Sequence, residues 1–459
     1  MKFFLDTPGK DSIPVRPARA EGWASQIETL QPRARAWIRS TRYEVEPGKL
    51  CLVPGEDGAL SEVILGVGAK PSPWDWSGLP GDLPALAYHV STEISAADAN
   101  AAALGWALGA YRFDRFRKAK STERARLAWP TSCERERVAA TVRATYLVRD
   151  LINAPASDMG PAQLAQAASE LSERHHASLR QIIGDDLLKQ GYPAIHAVGR
   201  AAAEDRLPRL IDLRWGDPAH PKVTLVGKGV CFDSGGLDLK PAAHMKLMKK
   251  DMGGGAHVLG MASMVMDNEL PVRLRVLVPA VENSVSGSAL RPLDVVTTRA
   301  GITVEIGNTD AEGRVILSDA LADASGETPD VLLDFATLTG AARVALGPEL
   351  PALFCNDDTM ASGLLEASTR ESDPLWRMPL WQPYRSMIDS KVADITNAPD
   401  APLGGAITAA LFLQQFVGSG IPWAHIDVMA WNQSAKPGRP EGGEAMGMRA
   451  VYAYLEARF

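Results

Sequence analysis

The sequence predicts an α/β protein in two unequal parts: a small N-terminal α/β domain, then a larger domain with a central mixed or mostly parallel sheet flanked by helices. Three observations predict it. Beyond residue 160, apolar runs with β-branched residues alternate with stretches of helical spacing, the pattern of parallel strands joined by helices. Up to about residue 117 the pattern is irregular, rich in Pro and Trp, with only short strand candidates. Between the two, Val142, Tyr146, Leu147 and Leu151 recur at helical spacing, and Asn153-Ala154-Pro155-Ala156 stops the run. The expected organisation is an N-terminal domain over 1–135, a connecting helix and linker over 136–160, and the larger domain over 161–459.

In chain order, Lys49-Leu50-Cys51-Leu52-Val53 and Glu62-Val63-Ile64-Leu65-Gly66 have strand character, and helical spacing is expected from Ala96 to Ala110. A helix over 162–175 is predicted to lead into a strand at 179–183, a helix at 184–190 and strands at 209–214 and 223–227. Further strands are expected at 273–281, 302–306, 331–337 and 423–428, with helices at 256–266, 317–324 and 406–416 between them.

Composition bounds the function. At 459 residues, with 46% hydrophobic and 22% charged residues, the chain is ordinary for a globular protein. No apolar run approaches the about 18 residues that span a bilayer, and Met1 to Asp6 holds too few apolar residues for a signal-peptide core. The expectation is a cytoplasmic protein with no membrane partner. The cysteines, Cys51, Cys133, Cys231 and Cys355, are scattered without a CxxC pair and are expected as reduced thiols. The net charge of -7 argues against nucleic acid, although residues 111–150 carry eleven Lys and Arg against five Asp and Glu. Such a stripe is expected as a solvated face or a subunit contact.

Two stretches carry chemistry. Asn308-Thr309-Asp310-Ala311-Glu312-Gly313-Arg314 lies between the strand candidate at 302–306 and a helical run, and is expected at the carboxyl edge of the sheet, where α/β proteins keep their ligands. Val226 to Gly255 places Lys228, Asp233, Lys240 and Asp251 among glycines that let backbone approach a ligand. Asp233, Asp251, Asp310 and Glu312 would repel one another if brought together, and two divalent cations would neutralise them. Read alone, the septet fits equally a solvated helix start whose acids favour the positive end of the dipole. The eight histidines form no HExxH motif, and neither a P-loop nor a dinucleotide fingerprint is present. Phe232-Asp233-Ser234-Gly235-Gly236 has the look of a serine-protease nucleophile segment, but in an α/β context Ser234 is expected as a loop residue.

Together, VGKGVCFDSGG, the Lys240 and Asp251 spacing and NTDAEGR closely resemble the leucyl aminopeptidase family, the M17 dinuclear metallo-exopeptidases. The likeness extends over about 145–459, through RDLINAPASDMGP, PAVENSVSGSALRPLDVV, DFATLTGA, GGAITAALFLQQFV and WAHIDV. It implies a metal-dependent aminopeptidase that releases N-terminal amino acids, with a leucine-like preference, from peptides with a free N-terminus. It makes Lys228, Asp233, Asp251, Asp310 and Glu312 ligands of two divalent ions, manganese or zinc, with Asp233 and Glu312 bridging. Lys240 and Arg314 become the catalytic pair, the first stabilising the oxyanion and the second holding a bicarbonate that acts as general base while a metal-bridging hydroxide attacks. A neutral Lys228 amine beside two cations is chemically reasonable, because they favour loss of its proton. Met248, Asn308, Thr337 and Gly340 fall where relatives line the substrate pocket, although Met248 and Thr337 by themselves read as core packing. The resemblance also implies a homohexamer. Some members bind DNA, which keeps a DNA-binding or architectural role with secondary peptidase activity as the alternative. Two stretches depart from the family pattern: Pro241 to Lys250, with lysines at 246, 249 and 250, and the tail Gly438 to Ala445.

Overall fold

The computed structural model describes residues 1–118, 123–400 and 403–459; residues 119–122 of the basic stretch lie outside the described residues. Met1–Val142 and Ser434–Glu441 form one compact unit, and Arg143–Gln433 with Gly442–Phe459 form a second.

The first unit is built on six strands, β1 (Phe4–Leu5), β2 (Ile13–Ala18), β3 (Leu50–Pro54), β4 (Leu60–Gly66), β5 (Ala87–Val90) and β6 (Arg126–Ala128), in the order β1-β6-β5-β2-β4-β3. Every neighbouring pair is parallel except the β3–β4 hairpin. Strand alternation in β4 sends Val63 and Leu65 into one core with Tyr88, Trp106 and Leu127, and Ile64 into another with Leu30, Ala34 and Ile38. The helix Ala96–Ala110 spans the expected residues, started by the Ser95 hydroxyl accepting from the Asp98 amide.

The second unit carries β7 (Ser178–Ile183), β8 (Arg209–Trp215), β9 (Lys222–Gly227), β10 (Gly229–Asp233), β11 (Arg273–Asn283), β12 (Val295–Thr297), β13 (Thr303–Glu305), β14 (Val331–Ala336), β15 (Ala352–Cys355), β16 (Trp376–Arg377), β17 (Ile395–Thr396) and β18 (Trp423–Asp427). Its nine-stranded sheet runs β16-β15-β18-β14-β9-β11-β8-β7, with β10 pairing on β11 beyond the end of β9. The sheet is mixed. β18, β14, β9 and β11 are mutually parallel, while β8, β7 and β15 join antiparallel. β14, Val-Leu-Leu-Asp-Phe-Ala, is buried along its whole length, as a central strand covered on both faces must be. Its Leu332 and Ala336 share a core with the helix Glu312–Gly326, whereas Phe335 stacks on His257 of the helix Gly253–Asp267 on the other face.

The strand before the acidic septet corrects an expectation. β13 belongs to a separate three-stranded sheet with β12 and β17, not to the main sheet, because its pairing partners are Val295–Thr297 and Ile395–Thr396. The following helix begins at Glu312, five residues earlier than its apolar spacing suggested, since charged residues in a first turn hide the periodicity without opposing the helix. All four cysteines are free thiols, and among the described residues no helix is long and apolar enough to cross a membrane. In the basic stretch, Arg143 pairs with Asp267 and Arg149 is fully buried against Glu444, so these two cations serve packing.

Candidate metal centre

Five chain segments converge at the carboxyl end of the parallel strands. Lys228 sits at the junction where β9 passes into β10, its amide bonded to the Phe335 carbonyl at 3.0 Å and its carbonyl to the Gly255 amide at 2.7 Å. Asp233 ends β10. The next turn needs Gly235 at φ +89°, a conformation that L side chains rarely adopt, and brings Lys240 back over Asp233. Asp251 lies in the short turn Met248–Met252 that starts the helix Gly253–Asp267. Asp310 lies in the turn Thr309–Ala311, where the Asn308 side chain accepts from the Asp310 amide, and Glu312 and Arg314 occupy the first helical turn after it.

Six of the seven charged side chains expected at the site come together, and Arg314 turns to the Asn397 carbonyl beside them. Lys228 Nζ is 2.7 Å from Asp251 Oδ2, 2.9 Å from Glu312 Oε1 and 3.2 Å from the Thr337 carbonyl. Lys240 Nζ is 2.8 Å from Asp233 Oδ2 and also pairs with Asp310. Asp233, Asp310 and Glu312 each offer an oxygen within 4.8 Å of the others. Gly313 makes room for this arrangement, because a Cβ there would lie 2.5 Å from Lys228 Cε.

The cluster stores charge that its own hydrogen bonds do not satisfy. Asp233 Oδ1 accepts from the Gly235 amide and from Asn283 Nδ2, both at 2.9 Å, and Asp251 Oδ1 accepts from the Thr337 hydroxyl at 2.7 Å. Asp251 Oδ2, Asp310 Oδ1 and Glu312 Oε1 are buried and meet only lysine ammonium groups, and the buried Glu312 Oε2 has no partner at all. Burial, followed by the Asp233 charge, raises the Asp310 carboxyl to about 6 and raises Glu312 as well. Burial also opposes the charge on Asp251, but Lys228 and Lys250 outweigh it and hold this carboxyl below its ordinary value. The two lysines at the cluster are raised, since their carboxylates overcome the cost of burial. Converging buried carboxylate oxygens are what a hard or borderline divalent cation satisfies, so the donor set fits metal.

Arg314 is buried, its Nη1 donating to the Asn397 carbonyl at 2.6 Å while Nε has no hydrogen-bond partner; burial lowers it to about 10. Of the pocket candidates, Thr337 is buried with its hydroxyl on Asp251, Met248 is half-buried, and Asn308 and Gly340 are exposed, with open space where a Gly340 Cβ would stand. The lysines of the departing stretch diverge. Lys246 is exposed, Lys249 donates to the Asn153 carbonyl at 2.6 Å under the Trp431 ring, and Lys250 is buried and lowered to about 8 by burial. Ser234 is a loop residue, its hydroxyl spent on the Asn283 carbonyl at 2.7 Å.

Sequence reasoning missed the supporting residues. Asn397, 0% exposed, gives its amide to the carbonyls of Asn308 and Ala311 and its own carbonyl to Arg314, fastening the septet from a distance of more than eighty residues. Thr309 and Asp238 exchange bonds that tie the septet to the Asp233 loop. Asp427, at the end of β18, accepts from the Leu338 amide, the Thr339 hydroxyl and Arg343, which anchors the loop carrying Thr337. Asn283, Asp427, Thr309 and Asp238 fall within stretches already singled out, PAVENSVSG, WAHIDV, the septet and Val226 to Gly255, but nothing local marked them as supports; Asn397 lies in none of them.

Comparison with known proteins agrees with this geometry. Residues 146–452 match the catalytic domain of the cytosol aminopeptidase family and residues 13–130 the M17 aminopeptidase N-terminal domain. A probable cytosol aminopeptidase of Parasynechococcus marenigrum is 38% identical over 487 aligned positions, covering 99% of each chain. The crystal structure of cytosol aminopeptidase from Coxiella burnetii is similar with a TM-score of 0.95 and 50% identity over 100% of both chains. The bottromycin maturation enzyme BotP in complex with Mn matches with a TM-score of 0.88 and 34% identity, covering 97% of this chain and 99% of that one. With both of its units matched and the carboxylate cluster in place, the chain belongs to the cytosol aminopeptidase family and is a metal-dependent aminopeptidase.

Proposed function

We propose that this aminopeptidase is dinuclear and releases leucine-like residues from peptide N-termini. The carrying observation is the convergence of Asp233, Asp310 and Glu312 oxygens within 4.8 Å of one another, with the buried Glu312 Oε2 left without any partner. Lys228, Asp233, Asp251, Asp310 and Glu312 would hold two divalent ions, manganese or zinc. Manganese in the structure of BotP supports the first choice. When bound, the ions would supply Lewis acidity toward the peptide carbonyl and make a water acidic enough to attack it near neutral pH.

The chain's own groups do the rest. Lys240, held between Asp233 and Asp310, keeps its proton and stabilises the oxyanion that develops on the carbonyl. Arg314, with its guanidinium edge free at Nε, would hold a bicarbonate, which when bound would supply a general base. Thr337 fixes the Asp251 carboxylate, and Met248, Asn308 and Gly340 border the space for the first substrate side chain. A homohexamer in the cytoplasm is the setting proposed for it.

Metal analysis combined with hydrolysis of a panel of aminoacyl amides tests this reading. Two ions per chain and preference for leucyl amide are expected. Undiminished hydrolysis by metal-stripped protein would rule the mechanism out.

A further inference from the structure

A cavity of about 310 Å³ opens at the amino end of β9 and β11, the end of the sheet opposite the carboxylate cluster. Strand register decides what lines it. β11 pairs with β9 so that Arg273 stands beside Lys222 and Arg275 beside Thr224, while β8 places Arg214 beside Arg275. Paired residues share a face, so four cationic side chains are held on one face of the sheet, in strands about 4.8 Å apart. Like charges opposite one another destabilise a sheet, so each such pair needs compensation.

One pair has it. Arg275 makes a two-point contact with Asp212 at 3.1 and 2.9 Å and reaches Asp323 at 2.6 Å, and Arg214 pairs with Glu327 at 2.7 Å. Arg299 also bonds Asp323 at 3.1 Å, so three acids offset three arginines. The other pair has no such offset. Among the described residues, neither the Arg273 guanidinium nor the Lys222 ammonium has a carboxylate partner. Lys222 Nζ donates only to the Glu327 carbonyl at 2.8 Å, and the nearby Asp330 carboxylate is spent on the Lys222 backbone amide at 2.8 Å. Two cationic residues thus occupy paired positions on neighbouring strands and both line the cavity, in a chain whose net charge is -7.

We propose that this cavity binds a small phosphate-type dianion, with Arg273 and Lys222 as its charge partners. Guanidinium and ammonium together supply directional and point-charge donors to phosphoryl oxygens, and two positive charges match a dianion. The site is remote from catalysis. The 15-residue helix Glu312–Gly326 begins at the carboxylate cluster and ends beside the cavity, which separates the two by about 20 Å along its axis. None of the residues assigned to peptide hydrolysis lines it.

Titration calorimetry of the metal-loaded full chain with inorganic phosphate, against chloride at equal ionic strength, tests the proposal. Saturable uptake of one phosphate per chain is expected. Arg273→Gln and Lys222→Gln should each weaken it about tenfold or more while turnover is retained. Glu327→Gln, which removes the carboxylate that lines the cavity, should tighten it. Lack of saturable uptake at millimolar phosphate, or uptake that both Arg273→Gln and Lys222→Gln leave unchanged, would overturn the proposal, the latter because the phosphate would then sit elsewhere. A phosphate-induced rise in melting temperature, present in the native chain and lost in Arg273→Gln, gives a second reading independent of heats.

Discussion

Glu312 shows most clearly how a residue's surroundings turn a common acid into a functional one. It is 2% exposed, its Oε1 meets only the Lys228 ammonium while Oε2 has no partner, and burial raises its carboxyl well above the ordinary range. Replacing it by glutamine removes a charge the ions need while keeping the shape, so Glu312→Gln is expected to lower metal content and turnover together. Lys240→Ala makes the contrasting case: metal content measured by elemental analysis should be retained while kcat falls about 100-fold or more, the scale of a lost oxyanion donor. A Lys240→Ala protein that keeps full turnover would remove this lysine from the mechanism. At this scale Asp310, Glu312 and Arg314 were legible because their types and spacing are unusual within seven residues. Asn397 was not, since nothing local distinguishes one asparagine from another until the chain folds it under the septet.

At the scale of elements, the helix Glu312–Gly326 and the junction of β9 with β10 are coupled through one glycine. Gly313→Ala should favour the helix by about 1 kcal/mol on propensity alone. Its Cβ would nevertheless fall 2.5 Å from Lys228 Cε, so the lysine must move. The expected result is a chain that folds with little change in melting temperature but binds metal more weakly, read by titrating metal into the variant and the native chain. The paired strands β14 and β18 hold a second coupling. Asp334 lies opposite His425, 2.5 Å from its Nδ1, and also accepts from Trp423 Nε1 at 2.8 Å. Burial alone would lower the His425 pKa, but Asp334 outweighs it and the pKa is raised. A raised folded-state pKa contributes stability that is complete below the unfolded value of about 6.5 and is lost as pH rises through the folded value. Denaturant midpoints measured from acid to alkaline pH should therefore show a decline that His425→Gln flattens; an identical decline in the variant would assign it to other groups.

For the whole molecule, metal and fold are thermodynamically linked. The two units differ in what they contribute: the first supplies no residue to the carboxylate cluster, while every member of the cluster comes from the second. A chelator should thus lower the melting temperature of the second unit selectively, because ions bound at 100 times their dissociation constant stabilise by about 2.7 kcal/mol. Scanning calorimetry with and without chelator checks this, and restoration by manganese or zinc is the expected control. A transition insensitive to chelator would mean that the carboxylates do not hold the metal.

The fold class was determined by the sequence, because strand and helix periods are local properties of the chain; the charged residues drew notice by type and spacing, and their proposed roles came from resemblance to the family. The helix Ala96–Ala110 and the strand over Lys222–Gly227 lay where their patterns placed them, within a residue. Tertiary structure decided what depends on contacts far apart in sequence. It assigned the strand before the septet to a small separate sheet, returned Ser434–Glu441 to the first unit, and set the order of nine strands. It also set cation against cation at Arg273 and Lys222, one strand apart in space and fifty residues apart in the chain. Hydrogen-bond register and long-range burial carry no local signature, so only the folded chain could show that one end of the sheet gathers carboxylates and the other leaves Arg273 and Lys222 without a carboxylate partner among the described residues.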